Sequence, residues 1–211
     1  MVGVLLVDEL VLVINLGDSR AVIGNIESSD KQVKTISALE ISIDHKPFRE
    51  IEKTRIIKAG GKIEKSTFED REVGPLRVWK ADEEVPGIAI TRSLGDLIAH
   101  SIGVSHDPEI TYKFKDDTDK FIVMGSDGVW DVMSSAEAVG FVLANSVKED
   151  VAKNLVLECR ERWDLLNEIK KKQTQIMLEN SETDKKKASE KLAQLDKNLV
   201  CDDITVVVMY L

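Results

Sequence analysis

The chain has 211 residues, 43% hydrophobic and 32% charged, with a formal net charge of −9. This balance describes a soluble globular protein able to bury a sizeable core, and its acidity argues against a nucleic-acid partner, which needs a basic face. No apolar run reaches the roughly 18 residues of a membrane-spanning helix, and two cysteines, Cys159 and Cys201, are too few for a disulfide framework or a thiolate metal site.

In chain order, Val2–Val7 and Leu10–Asn15 are strand-forming runs separated only by Asp8-Glu9, a tight hairpin connection. The same segment has acidic residues and no basic leader, so it does not read as a signal peptide. With two cysteines best read as buried apolar residues, the expected location is intracellular, cytoplasmic and/or nuclear. Leu16-Gly17-Asp18-Ser19 then turns into a third strand, Arg20–Ile26, and the three predict an antiparallel meander. Phe48, Ile51, Arg55, Ile56 and Ala59 recur at helical spacing between Pro47, which suits a first turn, and Gly60-Gly61, which ends one. Pro75–Lys80 and Phe121–Ser126 read as further strands.

Ser134–Glu137 and Ser146–Glu149 each fit a capping box, in which serine and glutamate satisfy the free N–H groups of a helix start. Asp203–Leu211 is a β-branched strand expected at the centre of a sheet. Between them, about 160–198 is charged, helix-prone and free of Gly and Pro, with ten Lys or Arg against eight Asp or Glu. The rest of the chain is left at −11, which would suit a protein that gathers divalent cations. Ser181–Asp184 resembles a break with a new cap, and Leu192, Leu195 and Leu199 supply a short apolar stripe. The stretch reads either as a surface excursion or as a partner-binding helical arm.

The stretch FIVMGSDGVWD carries a strand to Gly125-Ser126 and then places Asp127 and Asp131 four residues apart. Asp-Gly between apolar runs is a hairpin signal, yet the strand could equally deliver a carboxylate for chemistry. Asp18 follows LVLVINLG, and Asp202-Asp203 precedes ITVVVMYL, so three aspartate-bearing turns sit at strand ends. One such aspartate is most simply a turn residue. Three brought to one end of a sheet would form a hard-oxygen site, suited to Mg²⁺ or Mn²⁺, whose charge would hold the clustered carboxylates ionised.

The motifs NLGDSRAVI, DHKP with RIIKAGG, PGIAITRSLGD, GVSHDPEI, SDGVWDVMS and CDDITVVV follow in that order. In them the chain resembles the PPM-type, metal-dependent protein serine/threonine phosphatases (type 2C). The resemblance implies an α+β fold, a two-sheet antiparallel β-sandwich flanked by helices. It implies one domain over residues 1–211, N-terminally truncated, with a charged helical insertion at about 160–198. It further implies hydrolysis of phosphoserine and phosphothreonine through a metal-activated water, with two Mg²⁺ or Mn²⁺ ions and a third, weaker one in some members.

Carried over residue by residue, Asp127 and Asp202 match metal ligands at the catalytic centre, and Asp18 matches a residue of the weaker site. Asp131, Asp203, Ser19, Arg20, Arg92, Asp96 and Gly128 fall in supporting positions, and Asp203 stands where many members have asparagine. His45 of DHKP reads as a loop-packing residue. The family's upstream D-G-H-G-G segment, source of a metal-bridging aspartate, does not occur in this sequence. A chain shortened in this way is expected to leave sheet edges and apolar faces uncovered. The implied partners are phosphoprotein substrates, bound by a monomer. The alternative is a catalytically inactive pseudophosphatase or fragment acting as a protein-binding module.

Overall fold

The structure is a computed structural model that describes residues 1–28, 34–68, 71–147, 150–179 and 201–211. Strands β1 (Val2–Val7) and β2 (Leu10–Asn15) form the expected hairpin, in register from Val2↔Asn15 to Val7↔Leu10. The alternation in β2 sends Val11, Val13 and Asn15 inward.

The predicted meander stops there. Strand β3 (Arg20–Ser28) does not pair with β2, whose second edge is taken by β8 (Glu109–Phe114), from Leu10↔Phe114 to Asn15↔Glu109. Gly17, at φ +99°, turns the chain into another sheet instead. There β3 lies between β4 (Lys34–Glu40) and β9 (Asp119–Gly125), with β10 (Val206–Tyr210) outside β9. The final strand is therefore at an edge, not at the centre. Its five residues are half-buried or exposed, as one-sided pairing allows.

The two sheets face each other across Val11, Val13, Ala21, Ile23 and Ile122, with Val2, Val4, Leu6, Met124 and Met209 at the margin. The other face of the four-stranded sheet presents Val22, Phe121 and Val123 to α4 (Ser135–Ala144) and α5 (Val151–Glu179). Central strands with both faces covered read as continuous apolar runs, which is why FIV appears without alternation in β9. The outer face of β1-β2-β8 is different. Leu5, Val7, Ile110, Phe114 and Tyr112, the last 71% exposed, stand on it in the open.

A separate antiparallel sheet holds β5 (Gly61–Phe68), β6 (Arg71–Lys80) and β7 (Glu83–Ile88). It packs on α1 (Glu50–Lys58) and α2 (Leu97–His100) through Ile56, Val78, Ala99, Ile102 and Val104. The helical spacing predicted for 48–59 is right, but its buried face is not the apolar one. Glu52 and Ile56 are buried, whereas Phe48 and Ile51 are exposed.

The capping box at Ser134–Glu137 forms in both directions and opens α4. The second box includes Lys148 and Glu149, outside the described residues. Helix α5 runs unbroken through residue 160, so the charged stretch as far as Glu179 is continuous with a core helix. Val151, Leu155, Cys159 and Trp163, at four-residue spacing, are its buried anchors. Burial pushes the Cys159 thiol up to about 11, consistent with an apolar packing residue. The proposed break at 181–184 and the Leu192, Leu195 and Leu199 stripe lie outside the described residues. Among the described residues no helix is long and apolar enough to cross a membrane.

Candidate active site

Sheet register explains why distant aspartates meet. Gly125, the last residue of β9, pairs on one side with Arg20 at the start of β3 and on the other with Val206 at the start of β10. Asp18 precedes Arg20 by two residues, Asp127 follows Gly125 by two, and Asp202 precedes Val206 by four. All three are thus delivered to one end of one sheet. Asp127 and Asp131 both sense Asp18 and Asp202 electrostatically, so the four carboxylates share a face.

Asp127 does not sit in a hairpin turn. It opens a four-residue helix, α3 (Asp127–Trp130), and its carboxylate accepts the Gly128 N–H at 3.0 Å. Burial, then Asp18 and Asp202, raise the Asp127 pKa above its ordinary 3.8. Burial also raises Asp131, opposed by Lys46 and reinforced by Asp18, Asp202 and Asp44. The Lys46 ammonium pairs with Asp18. An excess of negative charge on hard oxygen atoms is the donor chemistry that a divalent cation relieves, so the chemistry of these residues fits such an ion.

The supporting residues divide into three places. Arg20 grips Asp44 with two hydrogen bonds of 3.1 and 2.8 Å and lies 5.2 Å from the ring centre of Trp130, bracing the short helix that Asp127 opens. Ser19 lines the cleft between the sheet ends with Ser126 and Thr205. Ser126 donates its hydroxyl to the Asp203 carbonyl at 2.7 Å and accepts the Thr205 N–H at 3.0 Å, locking the Asp202-Asp203 turn beside α3. Gly128 is required at this crossing, since a Cβ there would stand 2.7 Å from the Asp203 carbonyl oxygen. Asp96 is exposed at the start of α2 with no side-chain cap.

Arg92 belongs to a neighbouring cluster that sequence reasoning did not assemble. Glu52, with a wholly buried side chain, receives Arg92 through Nη2 at 2.6 Å, Arg55 at 2.6 Å and the Thr91 hydroxyl at 2.8 Å. Despite burial, which raises a carboxyl pKa, these partners hold Glu52 down to about 2. Glu109 takes Arg49 in a two-pronged pair at 3.0 Å each. His45 completes the cluster. It donates its backbone N–H to the Gly17 carbonyl at 2.9 Å, and Nδ1 accepts the Gly17 N–H at 3.0 Å.

His45, Glu52 and Glu109 place ligand atoms within 4.8 Å of one another, the spacing of a metal site. They do not fit one. Three guanidinium groups already occupy the two carboxylates, and Nδ1 of His45 is engaged. Nε2 lies 3.2 Å from Glu109 without hydrogen-bond geometry. Burial, and then Arg92, lower the His45 pKa, so the ring stays neutral as a packing residue. A carboxylate on the stripe Phe48, Glu52, Ile56 was the sequence signal for this cluster. It was hidden because buried charge breaks the apolar pattern used to find a core.

Replacing Glu52 with Gln strands two paired cations, Arg55 and Arg92, and denaturant unfolding is expected to lose about 3–5 kcal/mol. Because the folded-state pKa is depressed, the stabilisation is full above the ordinary 4.5 and disappears as pH falls toward about 2. A wild-type acid limb unchanged in Glu52→Gln would contradict this. Asp127 has the opposite sign. Its raised pKa means that the ionised group strains the metal-free fold at neutral pH, relieved as pH falls through that value. Asp127→Asn is therefore expected to raise the unfolding midpoint at pH 7 in the presence of chelator, with the gain vanishing in acid.

The protein phosphatase 2C family model matches residues 1–164. The chain is 36% identical over 155 residues to a probable protein phosphatase 2C 48 from Oryza sativa subsp. japonica, covering 74% of this chain and 43% of that protein. It is 37% identical over 151 residues to a probable protein phosphatase 2C 52 from Arabidopsis thaliana, covering 72% and 31%. The chain thus spans less than half the length of these relatives. Among solved structures, a serine-threonine phosphatase 2C from Toxoplasma gondii superposes with a TM-score of 0.69 at 22% identity, over 99% of this chain and 57% of that one. A C. elegans sex determining protein gives 0.59 at 18%, over 96% and 37%. These two establish the shared sandwich fold, and with the sequence match they show that this chain belongs to the protein phosphatase 2C family.

Proposed function

We propose that the chain carries metal ligands of a protein serine/threonine phosphatase acting on phosphoserine and phosphothreonine in protein substrates. One observation supports this above the rest: Asp18, Asp127, Asp131 and Asp202 arrive from three strand ends on one face, in excess of nearby cations. In this reading Asp127 and Asp202 are the principal ligands, of Mg²⁺ or Mn²⁺, and Asp18 serves a weaker site. When bound, the cation acidifies a coordinated water and offsets the charge that develops on the phosphoryl oxygens.

The chain's own residues do the positioning. Asp127 is fixed at its helix start by the Gly128 N–H, and Ser126 ties that start to the Asp202-Asp203 turn. Lys46 holds Asp18, and the His45–Gly17 pair holds the loop on which Asp18 stands. Arg20 keeps Trp130, and with it α3, against the sheet end.

The test joins this chain behind a family segment containing D-G-H-G-G and measures phosphate release from phosphothreonine peptides. The expected outcome is Mn²⁺-dependent release that chelator abolishes and that Asp127→Asn lowers at least about 100-fold. Mn²⁺ binding without release from any phosphopeptide would favour a non-catalytic binding module. Release that ignores chelator would overturn the metal reading.

A further inference from the structure

Helix α5 reaches the site directly. The Trp163 indole N–H donates to the Gly128 carbonyl at 2.7 Å, a buried bond between the helix and α3. Gly128 is the residue after Asp127, and its α-carbon faces the Asp203 carbonyl so closely that no Cβ could fit between them. The residue held by Trp163 therefore lies between Asp127, its neighbour in the chain, and the backbone of Asp203, the residue that follows Asp202. One residue earlier, Arg162 donates to the Val132 carbonyl at 3.2 Å and to Glu137 at 2.8 Å. The helix grips both ends of the segment that carries Asp127 and Asp131.

We propose that Trp163 is a positioning residue for the cation site: through Gly128 it sets the separation of the Asp127 and Asp202 carboxylates. The inference rests on the metal reading above and adds to it the helix that had looked like a surface excursion. A buried indole suits the task. It has only two side-chain torsions, it is buried on the helix face that carries Cys159 one turn earlier, and its single donor has one direction. Carboxylates must stay within about 0.5 Å of productive geometry, so a backbone carbonyl pinned at this point governs affinity. Packing alone would give a different signature, since it needs the ring and not the N–H.

Trp163→Phe keeps an aromatic ring and deletes the donor. Calorimetric titration with Mn²⁺ alone is expected to show a Kd about 10-fold above wild type, as for the loss of a residue that orients a ligand. Trp79→Phe is the control, because it deletes an indole donor to the Glu64 carbonyl in the separate sheet. It should leave the Mn²⁺ Kd unchanged, with unfolding midpoints of both variants recorded in chelator. Arg162→Gln, altering a partly exposed side chain, should raise Kd in the same direction and by less. A wild-type Kd in both Trp163→Phe and Arg162→Gln, or an equal rise in Trp79→Phe, would overturn the positioning role while leaving the metal reading intact. A wild-type chain that takes up no Mn²⁺ would overturn both.

Discussion

The site depends on a loop that cannot move by itself. Gly17 and His45 exchange hydrogen bonds, backbone N–H to carbonyl in one direction and Gly17 N–H to Nδ1 in the other. Gly17 is also where the chain leaves one sheet for the next, at a positive φ. The imidazole is in turn enclosed by Glu109 and the guanidinium groups of Arg49 and Arg92, and Arg92 is anchored on buried Glu52. A buried charge cluster of this kind contributes little net stability over an apolar core, but it admits one arrangement and penalises others. Here the arrangement it enforces is the direction in which Asp18 leaves the sheet.

The aspartate face follows the reverse logic. Three strands end level with one another at Gly125, and their following or preceding turns bring like charges together. Nothing in the apolar core demands that, and the pKa of Asp127, raised first by burial and then by Asp18 and Asp202, records its cost. Two clusters of carboxylates lie near each other with opposite fates. Glu52 and Glu109 are saturated by arginine and close enough to resemble a metal site, whereas the aspartates are less compensated and further apart. Charge balance, and not proximity, separates a structural cluster from a candidate binding site.

Much of this was legible in the sequence because the signals were local. The β1–β2 hairpin, the capping box at Ser134 and the strand ending at Gly125 each rest on short-range pattern. Apart from the hairpin signal at Asp127-Gly128, which opens a helix, the failures are long-range. Whether β3 continues a meander or crosses to a second sheet depends on β8 and β9, which arrive far later in the chain. The edge position of β10 likewise depends on which strand lies beyond β9. Glu52 was missed because its three cationic or hydroxyl partners come from its own helix and from Thr91-Arg92, a contact no periodicity encodes. The same is true of Trp163, whose partner carbonyl is 35 residues away.

Anomalous scattering from Mn²⁺ in crystals of this chain would test the assignment most directly. The account predicts anomalous density between the Asp127 and Asp202 carboxylates, with any weaker density beside Asp18, and none at His45, Glu52 and Glu109. Density centred on the His45 cluster, or a Mn²⁺-bearing crystal with nothing at Asp127, would contradict it.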